Sequence, residues 1–119
     1  LCDEHVCELL LTTGGTGFSS RDVTPEATLA VAERQANGIA EAMRWHSLTV
    51  TPRAMLSRGV SVLRKQTLIV NLPGSEKAVR EHLSYLLPVL PHALGILTGR
   101  ENECGGDGAQ CAPAIEEAE

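Results

Sequence analysis

Aromatic rings are scarce in this sequence: Phe18, Trp45 and Tyr85 make up 3% of its 119 residues. A surface that stacks single-stranded nucleic acid needs several exposed rings, so that class is excluded. No apolar run approaches the ~18–20 residues of a membrane span, and none is expected. The body also lacks an excess of either charge. Up to Gly99, nine acidic residues balance nine basic ones, and the whole net charge of -5 lies beyond, where Arg100 stands against Glu101, Glu103, Asp107, Glu116, Glu117 and Glu119. A nucleic-acid-binding body would be basic. The stretch from Cys2 to Glu8 is polar where a secretory leader would be apolar, so a cytoplasmic protein is expected. Cys2, Cys7, Cys104 and Cys111 lack the C-x-x-C spacing of zinc and redox sites. Reduced thiols are the preferred reading over a disulfide or a metal site.

Hydrophobic residues make up 43% of the chain, enough for one domain with an aliphatic core. Glu8 to Thr13 holds a short apolar run that stops at glycines, the pattern of a buried strand. Thr24-Pro25-Glu26-Ala27 starts a helix, with Thr24 as cap and Pro25 in the first turn, running to about Gln35. Gly38 opens a second helix, with Ile39 and Met43 one turn apart. Val60–Leu63 and Thr67–Leu72, joined by a short connection at Arg64-Lys65-Gln66, read as an antiparallel pair. Ser75 caps a helix with Val79, Leu83, Leu86, Leu87 and Leu90 on its apolar face. Pro91 starts a last helix through Leu97. Residues 100–119 read as a Gly-rich, acidic, disordered tail or linker. The first strand is apolar enough to want neighbours on both sides, which predicts that an N-terminal piece is missing or replaced.

The candidate site is the stretch Thr12 to Pro25. Gly14, Gly15 and Gly17 after a strand let backbone N–H groups approach phosphate oxygens, with Thr16 among them. The helix start at Thr24 adds positive potential. Arg21 offers a fork for an anion, and Asp22 is a hard oxygen ligand of the kind that holds Mg²⁺ beside phosphates. The spacing Gly15-x-Gly17-x-x-Ser20 misses the last glycine of a dinucleotide fingerprint, and no Walker-type phosphate loop is present. A plain strand-to-helix turn explains the same glycines by sterics alone. His5, His46, His82 and His92 share no metal-ligand spacing and read as packing or surface residues. Met43 and Met55 read as core filler, and Trp45 as a core or subunit-interface residue.

The string Thr13-Gly14-Gly15-Thr16-Gly17, followed by Arg21-Asp22-Val23-Thr24-Pro25-Glu26-Ala27-Thr28, resembles the signature of the MoaB/Mog family of molybdenum-cofactor biosynthesis domains. Met55-Leu56-Ser57-Arg58, Asn71-Leu72-Pro73-Gly74-Ser75 and Leu90-Pro91-His92-Ala93-Leu94 follow in the same order. With Cys2-Asp3-Glu4-His5, the wording is most similar to the G domain of gephyrin-type proteins. The resemblance spans roughly Cys2 to Leu97. It implies an α/β fold, a three-layer α/β/α sandwich with a mostly parallel sheet plus an antiparallel hairpin. It also implies a molybdopterin adenylyltransferase that uses Mg²⁺, ATP and molybdopterin and assembles as a homotrimer.

On that resemblance, residues 1–99 are the C-terminal portion of such a domain. The family's N-terminal βαβ half, with its Ser-Asp motif and a second acidic residue, is expected to be lacking. Asp22 matches the family's catalytic and metal-holding acid. Gly14, Gly15, Thr16 and Gly17 match its phosphate loop; Arg21 and Thr24 stand beside that loop in the same signature. Ser57, Arg58, Asn71, Pro73, Gly74 and Ser75 match its other site-lining segments. Ser19-Ser20 departs from the Ala-Pro of many relatives. The alternative implied is a catalytically incomplete, trimerising scaffold module with receptor or cytoskeletal partners. A fused or associated molybdate-insertion domain is a further expected partner.

Overall fold

The computed structural model describes residues 1–4 and 6–101. His5, Cys104, Cys111 and the acidic tail from residue 102 onward lie outside the described residues. The strand β4 (Thr67–Leu72) organises the rest, because all of its residues are buried. On one side it pairs in parallel with β1 (Leu9–Thr13), from Leu9 opposite Leu68 to Thr13 opposite Leu72. On the other it pairs antiparallel with β3 (Ser61–Arg64), which in turn pairs with the two-residue β2 (Arg34–Gln35). The result is a mixed four-stranded sheet in the order β1-β4-β3-β2, with its parallel part between β1 and β4. Lys65 turns the β3–β4 hairpin with φ of 51°, as the short connection requires.

Side chains alternate across β4, and this alternation separates two cores. Leu68, Val70 and Leu72 face α2 (Asn37–Leu48), α3 (Glu76–Leu86) and α4 (Leu90–Leu97), meeting Ala40, Met43, Leu86 and Leu90. Ile69 faces the other way, with Val62, Cys2 and Leu10, on the side that α1 (Thr24–Val31) covers. Helices thus lie on both faces, the three-layer arrangement implied by the resemblance. Ser75 caps α3 by accepting from Ala78 N–H, as its position predicts. Among the described residues β1 pairs on one side only, and Leu9, Leu10 and Leu11 remain half-buried.

Several local expectations change. The first helix ends at Val31, not near Gln35. Glu33 and Ala36 donate their N–H groups to Leu63 and Ser61 carbonyls, so the sheet claims the segment that helix propensity would extend. Thr24 is not the cap: Val23 holds that position without a side-chain bond. Met43 is core, but Met55 is 65% exposed and Trp45 is 75% exposed. Trp45 lies two residues from buried Met43, which on a helix turns it to the opposite side. Leu87 follows the end of α3 and is half-exposed. Arg100 and Glu101 both donate backbone N–H groups to Gly95 O, continuing the turn that ends α4.

Burying β4 on both faces forces its polar groups to find internal partners. Thr67 Oγ1 donates to Cys7 O at 2.7 Å. Asn71 is 2% exposed; its Oδ1 accepts from Val60 N–H at 3.1 Å, and its Nδ2 donates to Thr12 Oγ1 and Thr28 Oγ1, each at 3.0 Å. One amide therefore ties β1, α1 and the lead-in to β3 to the central strand. Asn71→Ala should destabilise the fold by about 1–3 kcal/mol, because Val60 N–H and both threonine hydroxyls lose a buried partner. Urea unfolding measures this; a change below about 0.5 kcal/mol would show that these groups find other partners.

Candidate functional site

The parallel strands β1 and β4 end side by side, and their outgoing loops meet. Gly14 N–H donates to Leu72 O at 3.0 Å, and a side chain on Gly74 would begin 3.4 Å from Gly14 Cα. In open α/β sheets this end of the strands is where ligands bind. Gly14 and Gly15 have φ of 83° and 72°, the left-handed region that glycine adopts without strain. At Gly15 a Cβ would also collide with Thr24 Oγ1. A Cβ at Gly17 would lie 2.8 Å from Asp22 Oδ2, so the carboxylate folds over the loop only because Gly17 is bare.

Arg58 shapes the loop through both its backbone and its side chain. Its backbone N–H donates to Thr16 O at 2.8 Å and its Nε donates to Gly17 O at 2.7 Å. Its Nη2 donates to Asp22 O, and the fork closes on Glu26, with Nη1 to Oε2 at 2.6 Å. Every peptide here is trans, so a carbonyl turned toward Arg58 turns the following N–H away. The amides so turned are those of Gly17, Phe18 and Val23. Among the described residues none of the three makes a hydrogen bond. Three unpaired donors on one exposed loop are receptive to an anion.

Beside this loop lies a cavity of about 300 Å³ between α2, the 3₁₀ turn Pro52–Leu56, and α3. Thr16, Gly17, Ser57 and Pro73 line it, so the structure brings four of the expected site residues to one wall. Arg44, Ser47 and His82 also line it and were not legible as site residues. Their only sequence signal was a polar residue on an otherwise apolar helix face. Arg44 donates to Gly59 O at 2.6 Å, and Ser47 Oγ lies 2.5 Å from His82 Nε2.

The remaining expected residues divide. Asp22 is half-buried; its Oδ2 accepts from Ser19 N–H at 3.0 Å, leaving Oδ1 without a partner among the described residues. Arg21 is exposed, and its guanidinium is unpaired among the described residues. Thr24 donates its N–H to Gly15 O, and Ser75 is the cap of α3. Asn71 does not line the cavity but braces the strands behind it. Among the described residues no group of three or more His, Cys, Asp or Glu side chains gathers to hold a metal. A lone carboxylate suits Mg²⁺ that arrives with phosphates supplying other ligands, and Asp22 Oδ1 is such a donor.

The fold and this loop define an α/β domain with a glycine-lined crevice at the carboxyl ends of two parallel strands. The family model described as "Probable molybdopterin binding domain" matches residues 1–92, and the chain belongs to that family. It is 54% identical over 93 residues to a gephyrin of Dictyostelium discoideum, covering 78% of this chain and 13% of that protein. It is 59% identical over 83 residues to the molybdopterin adenylyltransferase of Escherichia coli K12, covering 70% of this chain and 43% of that enzyme. The crystal structure of the molybdopterin biosynthesis enzyme MoaB from Thermus thermophilus superposes with a TM-score of 0.75 at 54% identity, covering 82% of this chain and 62% of that one. The chain thus spans less than two thirds of the length of these relatives. The MoaB/Mog resemblance is borne out, as is the α/β fold.

His82 gives the site a pH signature. Burial first, and the nearby charge of His46 second, hold its imidazole below the ordinary histidine range, with Glu81 opposing. The unfolded chain therefore takes up a proton that the folded one resists. Stability should fall as the pH drops below about 6.5 toward the lowered folded value. Urea midpoints measured between neutral pH and pH ~5 should fall in the wild type and flatten in His82→Gln. Parallel slopes in both proteins would assign the effect to other groups.

Proposed function

We propose that this chain binds Mg-ATP and molybdopterin and takes part in adenylyl transfer between them. An oxygen of molybdopterin displaces pyrophosphate at the α-phosphorus, giving adenylylated molybdopterin and pyrophosphate. The observation that carries this reading is the loop in which Arg58 holds three carbonyls and the Gly17, Phe18 and Val23 amides are unpaired among the described residues. Such fixed donors stabilise charge on a transferring phosphoryl group without reorganising. The relatives named molybdopterin adenylyltransferase supply the substrate class.

The residues divide the work as follows. Gly14 and Gly15 make the turn, and Thr16 and Gly17 present the loop to the cavity. Arg21, exposed and unpaired among the described residues, adds a fork for phosphate. Asp22 would hold Mg²⁺, which supplies charge neutralisation at the phosphates when bound. Ser57, Pro73, Gly74 and Ser75 border the crevice, and Arg58, Thr24 and Asn71 hold it in shape. The adjoining cavity is within the size range of small-molecule pockets and suits a planar heterocycle. In this reading residues 1–99 form the cytoplasmic domain portion and residues 100–119 its tail or linker, with a molybdate-insertion domain fused or associated.

Asp22→Asn keeps the size and removes the charge. In the full-length protein, single-turnover adenylylation under saturating Mg-ATP should slow by about a hundred- to a thousandfold, while molybdopterin binding changes much less. Equal rates would return Asp22 to the role of bracing the turn through Ser19 N–H.

A second reading has its own support: the domain also assembles as a homotrimer, and in a gephyrin-like setting it serves as a scaffold for receptor or cytoskeletal partners. Trp45, Val50, Met55 and Leu56 are 75%, 53%, 65% and 48% exposed on α2 and the segment that follows it. Neighbouring apolar residues left in water mark interaction surfaces. Sedimentation should give a trimer, and Trp45→Asp should shift it toward monomer. An unchanged sedimentation coefficient in the variant would place the subunit contact elsewhere.

A further inference from the structure

We infer that Glu26 is a positioning residue for the phosphate-binding loop: through the Arg58 guanidinium it sets the pose in which the Phe18 and Val23 amides face the ligand. This rests on the reading of the loop given above and assigns a role to a side chain outside the expected site. Glu26 sits on the first turn of α1, one residue after Pro25, and its side chain is 57% exposed. Both of its oxygens engage the same guanidinium, Oε2 at 2.6 Å from Nη1 and Oε1 at 3.2 Å from Nη2. Exposed ion pairs ordinarily contribute little to stability. This one differs in what its cation also touches.

The Arg58 fork is planar, and its other donors reach Gly17 O and Asp22 O, at the two ends of the loop's exposed part. Two carbonyl contacts leave the plane free to rotate; a two-oxygen anchor on the opposite edge fixes it. With the plane fixed, both carbonyls are held toward Arg58, and the N–H groups of Phe18 and Val23 are held away from it. Because Glu26 is rooted in α1 and Arg58 follows the 3₁₀ turn, the pair also joins the helix at one end of the loop to the segment crossing beneath it. The same carboxylate neutralises the guanidinium. A bound phosphate is therefore met by backbone donors ahead of Arg58, four of whose five N–H groups are already engaged by Gly17 O, Asp22 O and Glu26. The hydrogen bond from Arg58 holds the Glu26 carboxyl below the usual glutamate range, so the pair stays ionised at neutral pH.

The test follows the amide resonances of the ¹⁵N-labelled full chain during titration with Mg²⁺ and inorganic pyrophosphate. In the wild type the Gly17, Phe18 and Val23 amides should shift on binding. Glu26→Ala should weaken pyrophosphate about tenfold and displace the Phe18 and Val23 resonances even without ligand. Glu26→Gln, which keeps the shape but loses the charge, should fall between. Arg58→Ala should match Glu26→Ala, and the double variant should be no worse than Arg58→Ala alone. Glu76→Ala, which breaks the exposed pair of Glu76 with Arg80, should leave binding unchanged. Wild-type affinity in Glu26→Ala, additive losses in the double variant, or tighter binding through a freed Arg58 would each overturn the proposal. A wild-type chain that binds no pyrophosphate would sink the phosphate-loop reading. The ligand-free shifts in the Glu26 variants would still decide whether Glu26 sets the pose. If Glu26→Ala fails to fold, Glu26→Gln carries the same comparison.

Discussion

A strand buried on both faces constrains everything around it, and in this protein that strand is β4. Its apolar residues sort the helices into two layers, with Leu68, Val70 and Leu72 on one side and Ile69 on the other. Its polar residues cannot be hydrated, so they must be matched inside. Thr67 reaches the chain before β1, and Asn71 reaches Thr12, Thr28 and Val60. These bonds fix the end of β1 and the middle of α1 against the central strand. The crevice exists because those two points are fixed.

A similar division governs the loop above the sheet, by charge in place of burial. Arg58 gathers carbonyls from Thr16, Gly17 and Asp22, while Gly14 and Gly15 supply the backbone conformation that lets the chain wrap around it. The bareness of Gly17 admits the Asp22 carboxylate. Glycines therefore permit the loop's shape and the arginine selects it. The donors left over by that selection, on Gly17, Phe18 and Val23, make no hydrogen bond among the described residues.

Part of this was readable from residues alone. The apolar run ending in Gly14-Gly15 marked β1 and its turn, Ser75 marked the start of α3, and the short connection at Lys65 marked the hairpin. Each signal is local: a dihedral, a cap or a loop length. The family string from Thr13 to Thr28 identified the family. The two-residue β2 was not readable, because Arg34 and Gln35 have no strand propensity and join the sheet only through β3. Trp45 and Met55 look like core by composition, yet the core already closes around Ala40 and Met43. The side-chain bonds of Arg58 to Gly17, Asp22 and Glu26 were not readable, since these partners are separated from it by 32 to 41 residues.

The sequence by itself determined the types of the longer elements, the aliphatic character of the core, the glycine turn after β1 and membership of the family. Those properties depend on backbone freedom and apolar spacing over a few residues, which any folded context must respect. Tertiary structure alone decided which donors remain unpaired, which carboxylate meets Arg58, and that His82 and Ser47 face each other across a cavity. Those outcomes depend on desolvation and on contacts between distant segments. Neither exists until the sheet has closed around β4.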